Sequence, residues 1–144
     1  MIVVADASPL VALATCDALE VLDQLFGEIK VSQAVWDEVT ISNKPGSNKL
    51  TQYLQDKVYP FDLSDFIIGG NMLDMGELTA IALYKKLSAN YLLIDEKAGR
   101  RVAKANSIKI IGSLGVLIMA KQKGLITSIK PYIDILRASK VHFS

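Results

Sequence analysis

Two aspartates stand directly after apolar runs that are predicted to be buried strands. Asp6 follows Ile2–Ala5, and Asp95 follows Tyr91–Ile94. In open α/β sheets, ligands bind at the carboxyl ends of the strands, near the point where the strand order reverses. Each position therefore predicts either part of a metal site or a helix N-cap, because aspartate caps helices well and a helix is predicted after each one.

Two glutamates lie on predicted helices. Glu38 is near the end of the helix that begins after Ser32, where the helix dipole slightly disfavours an acid. Glu77 follows Asp74 by three residues, which is the spacing of a capping box. Taken singly, Glu38 is explained as a solvated side chain and Glu77 as a capping residue.

The four acids together resemble the acidic quartet of the PIN domain. In that family an aspartate follows the first strand and a glutamate lies on a helix farther along. A third acid begins a later helix, and an aspartate follows the next strand; here eighteen residues separate Glu77 from Asp95. Ser8, two residues after Asp6, matches the small hydroxyl residue that PIN domains favour there.

The resemblance is more specific for one PIN-like subfamily, catalogued as a domain of unknown function, and it covers nearly the whole chain. The matching stretches are residues 4–10, 76–83, 93–101 and 111–117. Most PIN toxins have an aspartate as the third acid, whereas this chain has Glu77. The resemblance implies a metal-dependent ribonuclease in which Asp6 is the central metal ligand, Asp95 supports it, and Glu38 and Glu77 complete or orient the shell. It also implies a small antitoxin that covers the acidic cleft or an adjacent groove.

A cation is needed if the four acids lie together. Two carboxylates about 4 Å apart repel by roughly 4 kcal/mol at an effective dielectric constant near 20, and an uncompensated cluster would take up protons. Hard oxygen ligands favour Mg²⁺ or Mn²⁺. The chain has one cysteine, Cys16, and one histidine, His142, so neither a zinc site nor covalent catalysis with a histidine base is expected.

Four basic residues are predicted to share one face of the helix that follows Asp95. Lys97, Arg100, Arg101 and Lys104 have the spacing i, i+3, i+4, i+7. They could contact phosphates without regard to sequence. The alternative is an ordinary solvated face, opposite a buried side formed by Ala98, Val102 and Ala105.

The alternation of short β-branched runs with longer amphipathic runs predicts a parallel sheet flanked by helices. We expect a single domain over residues 1–144, built as a three-layer α/β/α sandwich with a mostly parallel sheet of four to five strands. The predicted strands are Ile2–Ala5, Ile29–Val31, Tyr91–Ile94 and Ile108–Ile111. The predicted helices are 7–14, 18–26 capped by Asp17, 32–40, 49–56, 74–87, 96–106, 113–123 and 128–137, with a loop at 42–48 and an irregular connection over 59–73.

The composition says more about the oligomeric state and the cellular compartment than about the function. Half of the residues are hydrophobic, 51%, and this richness favours a partner surface, most simply a homodimer. One cysteine and no signal peptide or membrane span indicate a cytoplasmic protein. The formal net charge of +1 neither requires nor excludes nucleic acid.

Three other functions remain open at this point. The chain could be a PIN-like protein that binds metal or nucleic acid without cleaving it. It could be a phospho-acceptor of flavodoxin-like architecture, with Asp6 or Asp95 receiving the phosphoryl group, although Gly112 and Ser113 stand after a late strand where such proteins tend to have a lysine. It could also be an oligomeric scaffold whose acids are only helix caps.

Overall fold

A computed structural model describes residues 1–41, 44–60, 75–95 and 97–139, together with 141 and 143. Its sheet has four parallel strands in the order β2-β1-β3-β4. The strands are β1 (Ile2–Ala5), β2 (Glu28–Lys30), β3 (Tyr91–Leu93) and β4 (Ile110–Ile111). Beyond β2, a parallel bridge between Val31 and Val58 extends the edge of the sheet. The predicted parallel sheet is confirmed, and its switch point lies between β1 and β3.

The helices cover both faces of the sheet. One face of β1 and β3, with Val3, Ala5 and Leu93, packs in a core with most of the helices, whereas the other face, with Val4 and Leu92, packs against the helices that flank β3. This confirms the three-layer α/β/α architecture. The helices on the face of Val3, Ala5 and Leu93 are α1 (Ala7–Thr15), α2 (Leu19–Phe26), α3 (Gln33–Val39), α4 (Ser47–Leu54), α7 (Ser113–Gln122) and α8 (Lys130–Ser139). The helices on the face of Val4 and Leu92 are α5 (Met75–Leu87) and α6 (Lys97–Ala105).

Asp17 does not cap α2, contrary to the prediction from sequence. The residue at the N-cap position is Ala18, and Asp17 has φ of 59°. The amide of Asp17 donates to Ala14 O at 3.2 Å, and the amide of Ala18 donates to Leu13 O at 2.8 Å. These are the two hydrogen bonds of a Schellman motif, so Asp17 ends α1 in the left-handed conformation and does not begin α2.

The same motif ends α5, α6 and α7. The left-handed residues are Ser88, Ser107 and Gly124, and the residue after each donates to a carbonyl five positions earlier. Serine is less suited than glycine to this conformation, which explains why the sequence pattern alone marks only the end at Gly124.

Most predicted boundaries agree with the structure within two residues. The α4 helix begins at Ser47, so it starts inside the predicted 42–48 loop, and α8 begins two residues later than expected, at Lys130. Residues 42–43 and 61–74, Glu96 and His142 lie outside the described part of the chain. Among the described helices, none is long and apolar enough to cross a membrane.

Candidate active site at the carboxyl edge of the sheet

Asp6 and Asp95 lie at the switch point of the sheet. Register pairs Ala5 with Leu93, and the Asp6 amide donates to Leu93 O at 2.8 Å. Both aspartates are buried, with 2% of each residue exposed. Strand alignment therefore brings Asp6 and Asp95 to the same edge, as their positions after predicted strands suggest.

Side chains along β1 alternate between the two faces of the sheet, and this alternation places the Asp6 side chain on the face covered by α5. The Asp6 backbone is extended, with φ of −88° and ψ of 169°. Val4, two residues earlier, packs in the core under α5 and α6, and side chains two apart on a strand share a face. Asp6 also occupies the N-cap position of α1, but no amide of the described first turn makes a capping hydrogen bond to its side chain. Capping therefore does not explain the buried carboxylate of Asp6.

Asp95 is held by the beginning of α7. Ser113 donates its amide to Asp95 Oδ1 at 2.8 Å and its hydroxyl to Asp95 Oδ2 at 2.7 Å. Arg100 donates its Nε–H to Ile94 O at 2.9 Å and places Nη2 3.5 Å from Asp95 Oδ1. The carboxylate of Asp95 thus joins the end of β3 to α6 and α7, and it supplies the negative charge that a helix N-terminus favours.

Sequence reasoning assigned no role to Ser113. The signal was present: a serine stands at the first position of α7, directly after strand β4 and Gly112. A hydroxyl at the start of a helix usually indicates local capping, whereas Ser113 donates across the sheet edge to a residue eighteen positions away. Local sequence patterns do not reveal a contact between residues so far apart in the chain.

Glu77 is buried between α5 and α6. Only 8% of the residue is exposed, and its Oε2 atom is enclosed by protein. A Cβ added to Gly99 would lie 3.3 Å from Glu77 Oε2 and 2.5 Å from Ile94 Cδ1. Gly99 therefore lets the first turn of α6 approach the carboxylate, where the helix dipole favours an anion. Asp74, the capping-box partner considered from sequence, lies outside the described residues.

Glu38 and Ser8 line a cleft beside this edge. The cleft has a volume of about 350 Å³ and lies between α1, α3, the segment at Lys44 and Pro45, and the end of the chain at Ser139 and Val141. Glu38 is exposed and Ser8 is half-buried. The structure thus puts Glu38 on an open cleft that also includes Ala7 and Ser8, whereas the other three acids of the predicted quartet are buried.

A buried pair of hydroxyl groups joins the two helices that carry the glutamates. Ser32 caps α3 by accepting the Val35 amide at 3.2 Å, and its Oγ lies 2.8 Å from Thr79 Oγ1 on α5. Thr79 Oγ1 also lies 2.6 Å from Met75 O, to which it donates. Because each hydroxyl has one proton, Ser32 is the donor to Thr79. The pair fixes α3 against α5 near the sheet edge.

The basic face predicted on α6 is only partly available to a ligand. Lys97, Arg101 and Lys104 are exposed. Arg100 has 30% of its side chain exposed and is engaged with Ile94 and Asp95. Three of the four residues therefore remain candidates for phosphate contacts, and Arg100 has a structural role at the site.

Within the described residues, no three His, Cys, Asp or Glu side chains lie close enough together to hold a metal ion. Two carboxylates are nevertheless enough for Mg²⁺, which keeps several waters and is often bound by one or two carboxylates together with a substrate phosphate. Asp6 and Glu77 provide two such groups on the α5 side of the sheet edge. The chemistry of these oxygen donors suits a hard divalent cation.

Comparison with known proteins identifies one family. The model of a PIN-domain family, DUF3368, matches residues 2–144 of the chain. No protein with curated annotation matches it significantly.

Proposed function

The chain belongs to the PIN-domain family, and from this premise we propose that it is a divalent-metal-dependent ribonuclease whose Mg²⁺ or Mn²⁺ is held by Asp6 and Glu77. PIN domains have a nuclease-type fold. The observation that carries the proposal is the burial of these two carboxylates on one side of the switch point of the sheet. The two acids lie at the carboxyl edge of the strands, where open α/β sheets bind ligands, and carboxylate oxygens are the ligands that a hard divalent cation prefers.

The chain's own residues would prepare this site in three ways. Asp6 and Glu77 present hard oxygen atoms, and the first turn of α6 adds a favourable dipole at Glu77. When bound, the cation supplies Lewis-acid stabilisation of charge on phosphodiester oxygens. The buried apolar residues beneath the edge lower the local dielectric constant and so strengthen the electrostatic interactions there.

Asp95 enters this proposal as a positioning acid. From sequence it is expected to be a metal ligand, but both of its oxygens accept hydrogen bonds from Ser113, and Arg100 lies beside it. We propose that Asp95 fixes the starts of α6 and α7, and through α6 the surroundings of Glu77. Glu38 faces the open cleft, where it would contact the hydrated metal or the substrate.

Finer parts of the function remain predictions from the resemblance. They are RNA as the substrate and a small antitoxin that covers the acidic cleft or an adjacent groove. A homodimer remains a prediction from the hydrophobic composition. The exposed side chains of Ile118, Leu125 and Ile135 offer apolar surface for a partner. Light scattering would measure the oligomeric state directly.

The test is cleavage of labelled single-stranded RNA by the purified protein in Mn²⁺, Mg²⁺ or EDTA. An Asp6→Asn variant, prepared identically, excludes contaminating ribonuclease, which would survive the substitution. We expect cutting that requires the metal and disappears in the variant. Equal cutting by both proteins would refute the assignment to Asp6.

A second candidate function is binding of metal or nucleic acid without cleavage. Glu77 favours it, because this chain has a glutamate where most PIN toxins have an aspartate as the third acid, and the longer side chain changes the geometry of the ligands. It predicts that RNA stays intact with every divalent ion although Mn²⁺ binding is measurable by calorimetry. The cleavage assay therefore separates the two candidates.

A further inference from the structure

Two clefts adjoin each other along α1, starting at the candidate active site. The first is the 350 Å³ cleft that begins at Ala7 and Ser8, directly after Asp6. The second, of about 470 Å³, is lined by Ala14, Thr15 and the segment 44–49. Both are lined by Lys44 and Pro45, so the two clefts are neighbours, and together we call them the α1 groove. It runs from the first turn of α1 to its last.

The wall of the α1 groove is made of small and apolar side chains at the end near the acids. Val11, Val39, Pro45 and Val141 line the first cleft, and its polar groups include Ser8 and Glu38. Apolar walls with a few polar groups suit a flat ring that also forms hydrogen bonds. An unstacked nucleobase has these properties, whereas a base inside a duplex cannot leave its stack without cost.

Farther along, the α1 groove becomes positively charged. Lys44 lies where the two clefts meet, and Lys49 lines the second. Lys49 Nζ is 3.5 Å from Asp17 Oδ1 and 3.4 Å from Ala14 O. This ion pair is exposed and therefore contributes little. Lys49 can exchange it for a phosphate oxygen without leaving a buried charge.

We propose that a single strand of nucleic acid lies in the α1 groove, with one base in the first cleft and its backbone phosphates on Lys44 and Lys49. The inference rests on the proposed function, since it names the track by which the substrate would reach Asp6. In this arrangement, the main phosphate contacts come from the loop before α4 and the start of that helix, and not from the basic face of α6.

Salt dependence of binding tests the track separately from catalysis. Affinity for a short single-stranded RNA is measured in EDTA, without cleavage, over a range of salt concentrations. Each phosphate contact contributes about 0.7 to the slope of log affinity against log salt for single strands. Lys44→Ala and Lys49→Ala should each lower the slope by roughly that amount. The matched control is Lys123→Ala, at the end of α7 remote from the acids, and it should leave the slope unchanged.

An abasic substitution in the RNA tests the base pocket. Removing the base next to the cut should weaken binding to the wild type but have no further effect on a Val11→Trp variant, in which the indole would fill the first cleft. Unchanged slopes for both lysine variants would overturn the track. A loss of slope confined to the double variant Lys97→Ala/Arg101→Ala, on the basic face of α6, would overturn it as well. RNA that is bound through Lys44 and Lys49 but never cleaved would leave the track standing and refute the nuclease.

Discussion

Replacing Gly99 with alanine is expected to destabilise the protein through one identifiable contact. The new Cβ would lie 2.5 Å from Ile94 Cδ1, and Ile94 is fully buried. Overpacking of this kind costs about 1–3 kcal/mol, while alanine in place of glycine within a helix recovers about 0.5–1 kcal/mol. We therefore expect a net loss of up to about 2.5 kcal/mol in the free energy of unfolding.

The double variant Gly99→Ala/Ile94→Val isolates the contact. Ile94→Val removes the Cδ1 atom that the new methyl group would strike, and alone it should cost about 0.5–1.5 kcal/mol. If the clash is the cause, the double variant loses about 1–3 kcal/mol less than the sum of the single losses, because the overpacking cost disappears when the two residues no longer collide. Urea denaturation measures all four proteins. Additive losses would refute this explanation of Gly99.

Gly99→Ala also bears on the site, because the added Cβ would lie 3.3 Å from Glu77 Oε2. This separation is tight, so the carboxylate must shift by a few tenths of an ångström. We expect Mn²⁺ affinity to fall even at temperatures where the variant is fully folded. Unchanged affinity would remove Glu77 Oε2 from the metal site.

Three further predictions concern buried polar groups. Thr79→Val takes away the acceptor of the Ser32 hydroxyl and should cost about 1–3 kcal/mol, whereas Thr79→Ser should cost less; urea denaturation compares them. Ser113→Ala and Asp95→Asn each disrupt the anchor of α7 and should also lose about 1–3 kcal/mol, and losses that simply add in the double variant would contradict the anchor. Burial raises the pKa of the Cys16 thiol from 9.0 to about 11, so the folded state holds this proton more tightly and stability should fall as pH rises between these values. The same shift predicts that thiol reagents label Cys16 at pH 8 only after unfolding, and rapid labelling of the native protein would contradict it.

The sequence carried enough information to predict most of the secondary structure. Buried parallel strands are short apolar runs, and β1 is found at Ile2–Ala5 as expected. Ser32 caps α3 through its side chain, as its residue type predicts. Glycine marks the end of α7. These signals are local, so each can be recognised without knowledge of the fold.

Signals that depend on tertiary contacts were missed. Asp17 resembles a cap for α2, but the hydrogen bonds of Asp17 and Ala18 to the end of α1 determine its conformation. Asp95 is expected from sequence to be a metal ligand, whereas its attachment to Ser113 depends on how β3 and β4 align. Gly99 matched a family stretch, but its close approach to Ile94 and Glu77 becomes apparent only when α6 is packed on the sheet.

The most direct test of the account is Mn²⁺ binding by the wild type and by three variants, Asp6→Asn, Glu77→Gln and Asp95→Asn, measured by calorimetry and by melting temperature. A ligand that binds only the folded state stabilises it, by about 2.7 kcal/mol at a concentration of 100 times Kd. We predict that Asp6→Asn and Glu77→Gln lose this stabilisation, while Asp95→Asn melts at a lower temperature but still gains from Mn²⁺. Equal stabilisation of all four proteins, or a loss confined to Asp95→Asn, would contradict the proposed metal site.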